Sequence, residues 1–188
     1  MKSGVRALGL AESYRGDRST IGGAVVRASR VVDGVAFARC TVGGTDATEA
    51  MATLYDDLDR EDVRYLLLSG VALAWFNVVD LHALADRTDR PVVAVSFEAS
   101  EGLESTLREE FSGEALEARL ATYRSLPERH PTTVNGERRF VRSVGLPEAE
   151  ADRVVAAFTP EGGRPEPLRV ARLAARAADD YVDRTTGD

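Results

Sequence analysis

The chain has 188 residues, 44% hydrophobic and 29% charged, which predicts a single globular domain long enough to bury a sizeable core. Its formal net charge of −7 argues against the broad basic footprint of a non-specific nucleic-acid binder and leaves room only for a local basic patch. The single cysteine, Cys40, excludes an internal disulfide, and no stretch approaches the roughly 18 apolar residues that a membrane span needs.

No charged-then-apolar leader precedes Val5, and a lone thiol suits a reducing compartment, so a cytoplasmic location is expected. Lys2 is the only lysine, so every other basic side chain is an arginine.

Val5–Ala11 is a short apolar strand candidate, followed by a polar loop over Glu12–Thr20. Ile21–Ala28 and Val32–Val42 read as two further strands, with Asp33-Gly34 as a hairpin signal between them. Thr45 or Asp46 can cap a helix that runs through Met51, Leu54 and Leu58. Arg64–Leu68 continues an unalternating apolar run, as in a strand covered on both faces. It breaks at Ser69-Gly70 and passes through Trp75-Phe76-Asn77 into a helix from about Asn77 to Arg87. A strand over Pro91–Phe97 follows, and this alternation predicts parallel pairing. Gly102–Leu126 is helical in pattern, with an interruption near Ser112-Gly113. Thr132–Val144 reads as a second hairpin turning at Asn135-Gly136, and Pro147–Phe158 as a helix with proline in its first turn. The Gly- and Pro-rich loop Thr159–Pro167 leads to a last helix, Leu168–Tyr181.

Ligands of open α/β sheets bind just beyond the carboxyl ends of the parallel strands, which places Ser69, Gly70 and the Trp75-Phe76-Asn77 tripeptide at the expected site. The chain has no metal-ligand Cys/His spacing, no dinucleotide or Walker loop and no nucleophile elbow. His82 and His130 stand far apart in sequence, and a lone histidine on an amphipathic helix is usually structural.

Four motifs stand out together: Gly9-Leu10-Ala11-Glu12; Thr41–Thr48; Leu68-Ser69-Gly70 with Ala74–Asp80; and Gly163–Ala171. As a set, from about Val5 to Ala175, they resemble the archaeal endonuclease dU family, relatives of endonuclease V. The resemblance implies an α/β, ribonuclease H-like mixed sheet: three antiparallel strands, then parallel strands alternating with helices, an order the elements above also allow. It further implies metal-dependent hydrolysis of a DNA phosphodiester at or near a deaminated base such as deoxyuridine. Carboxylates at strand ends would hold Mg²⁺ or Mn²⁺, activate water and offset charge on the phosphate.

Members of that family read GIDD, VDGTDAT and LDG at the first three motifs. Here Ala11, Gly43 and Ser69 stand at three of the expected aspartates, while Glu12, Asp46 and Asp80 remain. Glu98 is a further acid past a strand end, without a family role. One expectation is therefore a rearranged Mg²⁺ (or Mn²⁺) site on Glu12 and Asp46, with damaged DNA met by Trp75, Phe76, Asn77 and Arg169. The other is a member that keeps the fold, has lost or altered the chemistry, and binds nucleic acid or protein. Bland roles stand beside these: Asp46, Asn77 and Asp80 at helix starts, Trp75-Phe76 as a cover for the core, and Arg169 paired with Glu166.

Overall fold

A computed structural model describes residues 1–186. The chain opens with three long strands, β1 (Arg6–Arg15), β2 (Arg18–Arg27) and β3 (Val32–Thr41), paired in antiparallel sequence order. The polar stretch after Ala11 is not a loop. β1 and β2 pair out to Arg15 and Arg18, and the reversal is confined to Gly16-Asp17, with Gly16 at φ 59°. The second turn also falls elsewhere than at Asp33-Gly34. It occupies 28–31, where Arg30 takes φ 73°, and Gly34 lies within β3 opposite Val25, beside a register shift. Asp-Gly suits an irregularity in a strand as well as a turn, which is why the dipeptide misplaces the reversal.

Helix α1 (Ala47–Leu58) leads to β4 (Val63–Ser69), which pairs parallel to β1. Two short strands, β5 (Ala72–Leu73) and β6 (Asn77–Val78), form a separate ribbon that periodicity did not reveal. Helix α2 spans Leu81–Thr88 and starts at Asp80 rather than Asn77. β7 (Val92–Ser96) pairs parallel to β4, and α3 (Glu104–Glu110) and α4 (Gly113–Ser125) follow, divided at Ser112 as the sequence suggests. β8 (His130–Val134) and β9 (Glu137–Val144) form the second hairpin. Asn135 and Gly136 both have positive φ, as a type I′ turn requires. Helices α5 (Glu148–Ala157) and α6 (Glu166–Thr186) complete the described chain.

The main sheet has seven strands in the order β3-β2-β1-β4-β7-β9-β8. Both faces are covered. Leu8, Leu10, Leu66 and Leu68 pack beneath α1 and α2 with Met51, Leu54, Leu81 and Leu84. Ala7, Leu67 and Val93 face α5 and α6 with Val155, Phe158 and Leu168. This double cover explains the unbroken apolar run in β4. No helix among the described residues is long and apolar enough to cross a membrane.

Two glycines seat α6 directly on the sheet. A Cβ on Gly9 would stand 2.2 Å from the Pro167 carbonyl carbon, and one on Gly22 would stand 2.5 Å from the Ala171 oxygen. The inner face of the helix is correspondingly small, with Ala171 and Ala175 fully buried.

Candidate nucleic-acid interface at the carboxyl ends of the parallel strands

Strand alternation decides what each residue of the first motif meets. Glu12 follows Leu8 and Leu10 toward the α1 side, where its Oε2 accepts from Ser19 Oγ at 2.9 Å and from the Ala74 amide at 2.7 Å. Ala11 points the other way and packs with Ala24, Val26 and Ala171 beneath α6.

Asp46 is also engaged on the α1 side. Its carboxylate accepts from the Thr41 amide at 3.0 Å, the Thr41 hydroxyl at 2.9 Å and Asn77 Nδ2 at 2.7 Å. Burial alone pushes this carboxyl up, but the hydrogen bonds from Thr41 and Asn77 outweigh it and hold the group below the usual aspartate range. Asn77 is fully buried. Its Oδ1 accepts from the Ala47 amide, so it caps α1 across space instead of starting α2. Its Nδ2 is shared between Asp46 and the Thr41 carbonyl, which leaves it no polar atom for a nucleic acid. Asp80 caps α2 by accepting from the His82 and Ala83 amides, both at 3.0 Å. Cys40 lies near Asp46 and Glu12; burial, added to by the charges of Asp46 and Glu12, pushes its thiol up to about 11.

The segment between β5 and β6 is strained. Ala74, Trp75 and Phe76 all have positive φ, at 41°, 58° and 58°, a region that costs an L-residue of order 1 kcal/mol. Arg119 of α4 holds it in place. Its buried guanidinium donates to the carbonyls of Phe76, Gly43, Gly44 and Ala115, and it stacks 3.9 Å from the centre of the Phe111 ring. Phe76 meets Trp75 and Phe111 edge to face. Trp75 itself is 50% exposed, beside Gly43, whose absent Cβ would fall 3.6 Å from the indole.

Beyond the strand ends lie two adjoining recesses that share Ser69 and Arg172. One is lined by Ala11, Glu12, Ser69, Arg172 and Arg176 among others. The larger, about 400 Å³, runs past Ser69, Gly70, Phe97, Arg164 and Arg172. Arg164 Nη1 lies 3.3 Å from Ser69 Oγ, and its guanidinium stacks 3.8 Å from the centre of the Phe97 ring. Burial, with repulsion from Arg172, Arg139 and Arg176, lowers the pKa of Arg164. Arg129 and Arg142 line the outer wall but are spent on carbonyls: Arg129 on Glu98 and Ser100, Arg142 on Pro127. Glu98 stands exposed at the rim. Arg169 faces a different recess and pairs with Glu166 at 2.6 and 2.8 Å.

These donors do not suit Mg²⁺ or Mn²⁺. A hard dication needs clustered carboxylate oxygens. Asp46 and the near oxygen of Glu12 are tied to amides and hydroxyls, and the hydroxyl of Ser69 faces a guanidinium. Among the described residues no three His, Cys, Asp or Glu side chains gather closely enough to hold a metal. The arginines Arg164, Arg172 and Arg176 escaped the sequence reading, although Arg172 and Arg176 are spaced to share one helix face. Nothing in the sequence alone shows that this face meets the strand ends.

The model of the endonuclease dU family matches residues 3–179 of this chain. A UPF0215 protein from Pyrobaculum calidifontis is 34% identical over 181 residues, covering 94% of this chain and 98% of its own. A crystal structure of a protein of unknown function from Archaeoglobus fulgidus superposes with a TM-score of 0.82 at 27% identity, over 92% of this chain and 97% of that one. Endonuclease V from Ciona intestinalis, crystallised with a 24mer DNA containing an inosine followed by a ribo-adenosine, superposes with a TM-score of 0.60. Its identity is 12%, and the match covers 94% of this chain and 86% of that one. The expected ribonuclease H-like, endonuclease V-type fold is thereby found.

Proposed function

The chain belongs to the endonuclease dU family, and from that premise we propose that it recognises DNA at a deaminated base, deoxyuridine first among them. The observation that carries this reading is Trp75, half-exposed on a strained segment braced by Arg119, with its neighbour Ala74 donating its amide to Glu12 on the lining of an arginine-bearing recess. A base taken out of the stack gains contact on such an indole, and stacking of this kind is worth about 1–3 kcal/mol per base. Arginines at the strand ends supply the cations that a nucleic-acid backbone needs, in a chain whose overall charge is −7. Endonuclease V from Ciona intestinalis, which shares this fold, was crystallised with a 24mer DNA containing an inosine, which supports nucleic acid as the class of ligand.

Hydrolysis through Mg²⁺ or Mn²⁺ on Glu12 and Asp46 is the second reading, and family membership favours it. The donor set does not, and recognition without metal-dependent turnover is expected. Fluorescence anisotropy with deoxyuridine and thymidine duplexes, in EDTA and then with Mg²⁺ or Mn²⁺, at low and at molar salt, separates the two. The proposal expects preference for the deoxyuridine duplex in EDTA, weakened about tenfold in Trp75→Ala. Equal affinity for both duplexes would overturn it. Cleavage that is lost in both Glu12→Ala and Asp46→Ala would instead establish the metal reading.

A further inference from the structure

We propose that the place of the missing carboxylates has become a metal-independent phosphate seat, formed by Arg164, Arg172, Arg176 and the Ser69 hydroxyl, and fitted to a phosphomonoester dianion. The argument begins with charge. Ala11 and Ser69 line the same recess as Arg172 and Arg176, so two positions that resemble metal-ligand aspartates are neutral and guanidinium groups face them; Glu12 is the one carboxylate on that lining, and its Oε2 is held by Ser19 and the Ala74 amide. None of Arg164, Arg172 and Arg176 has a carboxylate within ion-pair distance among the described residues, although acids outnumber bases in the chain. Arg169, Arg124 and Arg87 are each matched to an acid at 2.6 Å. Cations without a paired carboxylate repel one another, and the pKa of Arg164 is lowered first by burial and then by Arg172, Arg139 and Arg176.

The seat is also pre-organised. Arg164 is half-buried, stacked on Phe97 and directed at Ser69. Arg139 steadies the loop before it by donating to the Gly163 carbonyl at 2.5 Å. A Cβ on Gly163 would collide with that guanidinium. Arg172 and Arg176 stand one turn apart on α6, whose height above the sheet is fixed by Gly9 and Gly22. A planar guanidinium held as that of Arg164 is gives paired hydrogen bonds to phosphate oxygens that a mobile lysine would not.

Charge balance then chooses the ligand. Three guanidinium groups set against the Glu12 carboxylate leave about two positive charges, more than the single charge of a phosphodiester, whereas a terminal phosphate carries about −2 near neutral pH. The adjoining cleft of about 400 Å³, walled by Phe97 and Tyr123, has room for the rest of a nucleotide. Such a phosphomonoester comes either from a free nucleotide or from the end of a strand. Only the second source rests on the DNA reading above; the seat itself does not.

The test uses the full chain in EDTA at low ionic strength. Inorganic phosphate and deoxyuridine monophosphate are titrated calorimetrically. Deoxyuridine oligonucleotides ending in a 5′-phosphate, a 3′-phosphate or a hydroxyl are compared by anisotropy. Phosphate should bind without metal, about tenfold more weakly in Arg172→Met and again in Arg176→Met, both of which replace exposed residues and leave the core intact. Ser69→Asp should abolish binding by adding a second anion, beside Glu12, to the recess. Circular dichroism confirms that each variant is folded. A phosphorylated end that binds about tenfold tighter than a hydroxyl end assigns the seat to strand ends. Equal binding of the ends, with phosphate still bound, assigns it to free nucleotides. Absence of phosphate binding, binding unchanged in all three variants, or binding only with Mg²⁺ overturns the proposal. Tight binding of hydroxyl-ended deoxyuridine DNA by a protein that ignores phosphate sinks the seat and leaves the DNA reading standing; the reverse result does the opposite.

Discussion

The Asp33 carboxylate receives the Nε–H of both Arg6 and Arg27 at 2.6 Å, which ties β1, β2 and β3 together at one point. Those hydrogen bonds, Arg27 foremost, lower its pKa from 3.8 to about 2. A carboxyl depressed on folding adds stability that is complete above its unfolded pKa and disappears as pH falls through the folded one. Thermal melts of the wild type should therefore lose stability between about pH 4 and about pH 2, and Asp33→Asn should be less stable at neutral pH and flatter across that window. A variant with the same slope as wild type would show that this group is not what titrates. Asp46 was legible as an acid at a helix start, whereas Glu12, expected at a strand end, lies inside β1 opposite Ile21. Their partners were not legible, because Glu12 answers to an amide 62 positions away and Asp46 to Asn77 across the ribbon. The arginines opposite Ser69 were hidden for the same reason, since only the packing of α6 brings them there.

At the level of elements, the segment from Ala74 to Phe76 keeps its left-handed backbone because Arg119 over-determines it. Replacing Arg119 with Met would strip the donors from the carbonyls of Gly43, Gly44 and Phe76 at once. We expect a loss of about 2–4 kcal/mol, read by denaturant titration. Trp75 is the only tryptophan, so its emission reports on the same segment. A lower emission anisotropy in Arg119→Met is expected, and an unchanged one would mean that the segment is held without it. Helix and strand order was legible from apolar periodicity, down to the break between α3 and α4 and the turn at Asn135-Gly136. The ribbon β5-β6 was not, because two-residue strands carry no period, and its three left-handed residues include no glycine to announce them.

Across the whole molecule, the distance between α6 and the sheet sets both the core and the arginine face above Ser69. Gly9→Ala would force the Cβ against Pro167 backbone, not against a flexible side chain, so the helix must lift. A loss of about 3 kcal/mol is expected by thermal denaturation, with weaker phosphate binding in the fraction that stays folded. Retention of wild-type stability would show that the helix has slack. The same seating has a consequence during synthesis. β1 and β2 are made early, yet the helix that covers Gly9, Ala11, Ala24 and Val26 is made after all of the strands. Until it emerges, the nascent sheet offers a bare apolar face over Gly9, Ala11, Ala24 and Val26. Contacts between β1 and α6 close a loop of more than 150 residues, so the final docking is a slow, non-local step. The apolar face stays uncovered until that step, and apolar surface exposed in this way favours aggregation.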